Sequence, residues 1–311
     1  MAARAAGVLG LLGRLRRLRR LPRGRRGPDA PGRAGLQRVL ADPTWELIPL
    51  KSTMDGAATL PSGATISVTA SPAKGLEATV DLAVRLHGMG FRAVPHLSAR
   101  MVRDAAHLRD LLAAIAGAGI DRAFVVGGDE EQPGEFPDGL SLLRAIAESG
   151  LAPREIGIPC YPQGHATIPD AALAAALTAK APFAAYMTTQ LCFDPKAIAS
   201  WIAARRAEGL ALPVRIGIPG AAEIPKLLSI SARIGVRDAS RFVLKNRRFV
   251  GQLLRSGGAY RPTALLEALA PTIADPAAGV LGLHVYTFNN VAATAAWRAG
   301  YLADLATSTG D

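Results

Sequence analysis

Short apolar runs alternate with amphipathic stretches along this chain from residue 44 onward. Runs at 44–49, 64–70, 91–97, 122–127, 154–161, 183–190, 213–218 and 279–286 are aliphatic or β-branched with few polar interruptions. That is the pattern of strands covered on both faces. Between them, 74–88, 101–117, 139–149, 170–180, 194–207, 221–234, 238–256 and 262–273 read as helical stretches. Gly88, Gly90, Gly117, Gly119, Gly150 and Gly209 punctuate the joins, as expected where helices end. Eight strands with intervening helices predict an α/β protein, a single-domain (β/α)8 TIM barrel over residues 39–311. The long stretch between 218 and 279 predicts a helical insertion before the last strand. An open doubly wound sheet is the alternative, and the absence of G-x-G-x-x-G after the first strand speaks against it.

In a parallel barrel the C-terminal strand ends form one rim, and that rim carries the active site. Here the ends are Trp45-Glu46-Leu47-Ile48-Pro49, Val94-Pro95-His96, Val126-Gly127-Gly128-Asp129, Cys160-Tyr161-Pro162-Gln163-Gly164-His165, Thr188-Thr189-Gln190 and Leu283-His284-Val285-Tyr286. Polar residues scattered over the whole body would therefore converge, which points to an enzyme.

The net charge of +11 changes this picture little. Residues 1–38 hold eleven arginines and one acid, Asp29, so the body contributes only +1. A near-neutral body lacks the basic face that nucleic-acid binding needs. Residues 1–38 read as a disordered Arg-rich leader, with a membrane-surface helix or a transit peptide built on the Leu/Arg segment 11–26 as rivals. No run of 18 apolar residues is present, which excludes a transmembrane helix. Two cysteines, Cys160 and Cys192, make no disulfide framework or zinc spacing. They read as small buried side chains in a cytoplasmic protein.

Glu46 is an acid inside an apolar run. Burial raises a carboxyl pKa and suits a general acid, although a structural salt bridge fits the position equally. Asp129 follows paired glycines that let backbone approach a ligand, or it is a solvated loop acid. His165 stands with Tyr161 at a strand end. A rim glutamine such as Gln190 can both donate to and accept from a heterocycle edge. His284 and Tyr286, two apart, share one face of the last strand. His96, His165 and His284 lack the spacing of a metal site, so none is expected.

Taken in order, these segments resemble the methylenetetrahydrofolate reductase family, flavin-dependent barrels of one-carbon metabolism. The resemblance rests on Trp45-Glu46-Leu47-Ile48-Pro49, Pro95-His96-Leu97-Ser98, Gly128-Asp129, Tyr161-Pro162-Gln163-Gly164-His165, Thr189-Gln190-Leu191-Cys192-Phe193-Asp194, Ile218-Pro219-Gly220 and His284-Val285-Tyr286-Thr287-Phe288-Asn289. It implies NADH- or NADPH-dependent reduction of 5,10-methylenetetrahydrofolate to 5-methyltetrahydrofolate, with FAD between the two. Glu46 would match the general acid and Asp129 the acid between flavin and pterin. Gln190 and Tyr286 would contact the folate. His96, Tyr161, His165 and Lys180 would contact the flavin. Rival readings are tetrahydrofolate-linked methyl catabolism in the reverse direction and a non-catalytic folate-binding subunit. The departures fall on the flavin side. Gly127 stands where relatives carry a phosphate-binding arginine, and Ala70-Ser71-Pro72-Ala73 replaces a glycine-rich run. The sequence therefore predicts weak or absent flavin binding.

Overall fold

The structure, a computed structural model, describes residues 27–223 and 259–307. Most of the leader (1–26), the helical stretch expected at 238–256 and most of that expected at 221–234 lie outside the described residues. The eight barrel strands are β1 (Thr44–Leu47), β2 (Thr65–Val68), β3 (Arg92–Ser98), β4 (Arg122–Val126), β5 (Glu155–Cys160), β6 (Tyr186–Thr189), β7 (Val214–Pro219) and β10 (Val280–Tyr286). They close in the order β1-β10-β7-β6-β5-β4-β3-β2, every neighbouring pair parallel. The (β/α)8 barrel expected from the apolar runs is the observed fold.

Where the 221–234 helix was expected to begin, Ala222–Glu223 (β8) instead pairs antiparallel with Ala259–Tyr260 (β9). This short ribbon brackets the insertion. The helices are α1 (Ala30–Ala41), α2 (Thr53–Ala57), α3 (Gly75–Gly88), α4 (Ala105–Gly117), α5 (Gly139–Glu148), α6 (Asp170–Lys180), α7 (Pro195–Ala207), α8 (Thr263–Ala274) and α9 (Val291–Thr307). Asp side chains start several of them. Asp104 caps α4, Asp194 caps α7, and Asp138 forms a capping box with Ser141 on α5. Each satisfies amide groups that the first helical turn leaves open.

Alternation along the strands separates two cores. Outward residues such as Trp45, Leu47, Ile66, Leu97, Val125 and Met187 pack with the helices in one large cluster. Inside the barrel, Val94, Phe124 and Tyr186 form a separate small cluster. The remaining interior positions near the rim are polar.

Helix α1 crosses the boundary placed at residue 38. Its face of Gly32, Gly35, Leu36, Val39 and Leu40 is buried, against α8. A Cβ at Gly35 would lie 3.3 Å from Ala274 Cα, so glycine allows the two backbones to approach closely. The Arg38 guanidinium donates to Ile273 O and Val280 O, each at 3.1 Å. Residues 30–38 thus belong to the folded body, contrary to a leader ending at 38. A chain starting at residue 39 should therefore melt well below one starting at residue 27. Loss of a buried leucine such as Leu36 alone costs about 2–5 kcal/mol. Equal melting temperatures by calorimetry would show that α1 adds nothing.

Candidate active site

Glu46 sits at the seam where the first and last strands close the barrel. Register aligns Thr44 with His284 and Glu46 with Tyr286. Alternation turns Glu46 inward while Trp45 and Leu47 face the helices. Its Oε2 lies 3.0 Å from His284 Nε2, with side-chain exposures of 15% for the acid and 3% for the histidine. No other hydrogen bond to the carboxyl is found among the described residues, so Oε1 has no protein donor.

The backbone of Glu46 is held by the residues that follow β10. Thr287 Oγ1 donates to Glu46 O at 2.6 Å. Asn289 Oδ1 accepts from Ile48 N at 2.8 Å and its Nδ2 donates to Ile48 O at 2.9 Å and to Thr53 Oγ1 at 3.1 Å. An Asn side chain here continues the sheet beyond the last backbone pair. The turn that delivers it puts Phe288 and Asn289 in left-handed conformation, φ 51° and 57°. Asn tolerates this conformation locally, whereas Phe does so at about 1–2 kcal/mol.

Two strands along, His96 Nε2 lies 2.6 Å from Ser67 Oγ. The His96 ring packs on Phe124 at 4.8 Å between centroids, and Phe124 lies 6.2 Å from the His284 ring. Burial pushes His96 down to about 4, opposed by the Glu46 charge and assisted by His284. His96 is thus a neutral hydrogen-bonding group beside the acid. Tyr286 stands 5.0 Å from the His284 ring and donates its hydroxyl to Thr189 O at 3.0 Å. Burial, with the Glu46 charge next, raises its phenol well above the usual range. The ring fits because β7 has glycine opposite it. A Cβ at Gly217 would lie 2.7 Å from Tyr286 Cε2 and 2.1 Å from Thr189 O.

Farther round the rim, Gly128 has φ 91°, and a Cβ there would meet Ser98 Oγ at 2.1 Å, so only glycine fits the turn into Asp129. Asp129 is exposed. The following loop is tied down by Arg100, whose guanidinium donates to the carbonyls of Glu130 (2.5 Å), Glu131 (3.1 Å) and Pro137 (3.3 Å). Tyr161 packs edge-on against His165 at 5.4 Å. Its hydroxyl is pushed up to about 12 by burial, then by Cys160 and the Asp129 charge. Lys180 ends α6 beside Gly139, and burial lowers its ammonium below the usual value. Gln190 Oε1 accepts from Leu191 N at 2.8 Å.

Glu46, His96 and Tyr286 therefore converge inside the mouth with His284. Asp129, Tyr161 and His165 group on the β4–β5 side of the rim, with Lys180 just beyond. Among the described residues no group of three or more His, Cys, Asp and Glu side chains is placed to hold a metal. No helix among them is long and apolar enough to cross a membrane. Both cysteines are free and buried.

The family model for methylenetetrahydrofolate reductase matches residues 50–240, more than half of the chain. The chain belongs to the methylenetetrahydrofolate reductase family. Two solved structures align over most of its length. One is a protein assigned as a phosphonomutase from Burkholderia cenocepacia J2315, at 13% identity and TM-score 0.44, covering 89% of this chain and 95% of that one. The other, assigned as a lyase or mutase from the same organism, has 15% identity and TM-score 0.44, covering 90% and 88%. The reductase-family match begins after Glu46 and ends before β10, so the acid and its clamp are contributed by strands outside the matched span.

Sequence reasoning gave no role to His284, Ser67, Thr287 or Asn289. Period-two alternation places His284 and Tyr286 on one face, but only barrel closure sets that face against Glu46. For this member of the reductase family, Asn289→Ala should cost about 1–3 kcal/mol in stability, because the Ile48 amide and carbonyl lose partners. Turnover should fall more than folate affinity does, as the acid loses its fixed backbone. Unchanged melting and turnover would show that the clamp is incidental.

Proposed function

We propose that this protein transfers a hydride from NADH or NADPH to the one-carbon unit of 5,10-methylenetetrahydrofolate, giving 5-methyltetrahydrofolate. The observation that carries this reading is the Glu46 carboxyl, anchored through Oε2 on His284 with Oε1 lacking a partner among the described residues. The imidazolidine ring of the substrate opens when its N10 accepts a proton, leaving an iminium at N5 that can take the hydride. A positioned carboxylic acid meets the first requirement. Asp129 and Gln190 are the proposed pterin contacts. The Gln190 amide nitrogen, free of hydrogen bonds among the described residues, can donate to a pterin acceptor. The Tyr286 ring, fixed through its hydroxyl on Thr189 O, forms a wall beside the acid.

The residues on the other side of the rim fit FAD poorly. A dinucleotide presents two phosphates, which are best held by bidentate, charge-assisted contacts. A side chain at Gly127 would enter open space, so that position offers only backbone. The Arg100 guanidinium is committed to three loop carbonyls. Among the described residues Lys180 is the cation beside Gly139, and it is partly buried. The exposed face of α6 carries Ala171, Ala172, Ala175, Ala176 and Ala179 with Asp170 and Thr178, and none of these is a cation. No step is therefore assigned to a flavin, and His96, Tyr161, His165 and Lys180 are not proposed as a tight flavin site.

Glu46→Gln should lower turnover of methylenetetrahydrofolate by about 10²–10⁴-fold while folate still binds. Activity within a few-fold of wild type would make Glu46 structural. Purified protein should be colourless yet bind 5-methyltetrahydrofolate by calorimetry. Stoichiometric yellow flavin surviving gel filtration would overturn the flavin-poor reading. Gly127→Arg should raise FAD affinity by one or more decades, since a charge-assisted hydrogen bond contributes about 1.5–3 kcal/mol. No gain would place the defect in the loop at Ala70-Ser71-Pro72-Ala73.

A further inference from the structure

The family reading assigns the acid to one carboxyl, but that carboxyl is half of a pair. His284 Nε2 is 3.0 Å from Glu46 Oε2, and the imidazole is almost wholly enclosed. The titratable groups facing the pair from the packed strands are His96 on β3 and Tyr286 on β10 itself. Both remain uncharged near neutrality, because burial disfavours imidazolium at His96 and phenolate at Tyr286. Ser67 and Phe124 complete the lining. Among the described residues of that wall, no further charged side chain faces either partner.

We propose that Glu46 and His284 hold one proton between them and that this pair, not Glu46 alone, is the acid of the reaction. His284 is the positioning residue. The inference rests on the methylenetetrahydrofolate reading above. Reduction of one methylenetetrahydrofolate by one nicotinamide consumes one proton, and the pair stores that number. Before reaction the carboxyl carries its proton on Oε1, while His284 Nε2–H donates to Oε2. The bond between the methylene carbon and N10 breaks, its electron pair goes to N10, and N10 takes the Oε1 proton. The carboxylate left behind is stabilised by the histidine N–H, a charge-assisted contact about twice as strong as a neutral one. The hydride of NADH or NADPH then adds to the methylene carbon with its electron pair. Solvent returns one proton to the pair, as imidazolium or as carboxylic acid, before the next turnover.

Two variants and one spectroscopic measurement test this. His284→Leu should lower kcat by about 10–100-fold, part of the range general acids supply, with the folate KM held within about threefold. His284→Gln keeps an N–H donor near Nε2, so it should recover part of the kcat lost in His284→Leu. Wild-type kcat in His284→Leu would overturn the proposal. The double variant Glu46→Gln with His284→Leu should be no slower than Glu46→Gln alone, because residues acting as a unit are not additive. Fully additive losses would also overturn it. Independently of turnover, nitrogen NMR of labelled histidine should show a different His284 Nε2 resonance in Glu46→Gln and in wild type, since the carboxyl facing that nitrogen is gone. Coincident resonances would sink the pair whatever the enzyme reduces. A shifted resonance in a protein that turns over no folate would instead keep the pair and remove the reductase reading.

Discussion

Strands β1 and β10 close this barrel, and the same junction sets the acid. β1 is four residues long and pairs with β10 through Thr44, Trp45 and Glu46. Beyond that point the backbone ladder stops. Thr287 and Asn289 then supply side-chain hydrogen bonds to Glu46 O and to both polar groups of Ile48. A strand this short would fray at its C-terminal end without them, and the C-terminal end is where the carboxyl must be fixed. The two left-handed residues at 288 and 289 fit this account. Local strain is tolerated where the surroundings over-determine the conformation, and here five hydrogen bonds from Thr287, Asn289 and Thr53 converge on three residues of backbone.

The interior behind that junction is divided by chemistry. Around one half run His284, Glu46, Ser67 and His96 on β10, β1, β2 and β3, successive strands of the closed sheet. The other half is Val94, Phe124 and Tyr186. Phe124 bridges them, within 6.4 Å of the rings of His96, His284 and Tyr186. Buried polar groups are tolerated only when hydrogen-bonded, and each of these four has a partner within the ring: His284 with Glu46, and Ser67 with His96. The apolar half keeps water away from the polar half and so strengthens its electrostatics. The two histidines have different partners. His96 has a neutral partner in Ser67, and burial keeps it uncharged. His284 faces the Glu46 carboxyl.

Much of the barrel was legible in the sequence because its strands are covered on both faces and read as plain apolar runs. Helix α1 was not, for a physical reason. Part of its buried face is Gly32 and Gly35, which carry no hydrophobic signal, and Arg33 and Arg38 continue the basic composition of the leader. Burial there comes from backbone proximity to α8 at these glycines as well as from Leu36, Val39 and Leu40. The start of the insertion was misread because Ala221 and Ala222 suit a helix as well as the β8 edge. Among site residues, the rim motifs gave the candidates, while partnerships stayed hidden. The Glu46–His284 contact spans 238 positions, and its register follows from closure of the whole sheet. His96 illustrates the converse. Its motif marks it as a rim residue, yet it is buried and turned toward Ser67.

The two sides of the rim differ in how completely they are built. On the β1–β10 side every polar group beside the acid has a defined partner, and the backbone carrying it is clamped. On the β4–β5 side the loop after Asp129 is also ordered by the protein itself, through Arg100 and three carbonyls. A guanidinium used that way fixes Asp129 without a ligand, but it leaves no fork for a phosphate. Anchoring a dinucleotide there would need cations that are absent at Gly127 and along the alanine face of α6. Proton delivery, by contrast, needs only a carboxyl, its histidine and a dry wall. The proposed proton delivery therefore draws on the most completely built part of the rim.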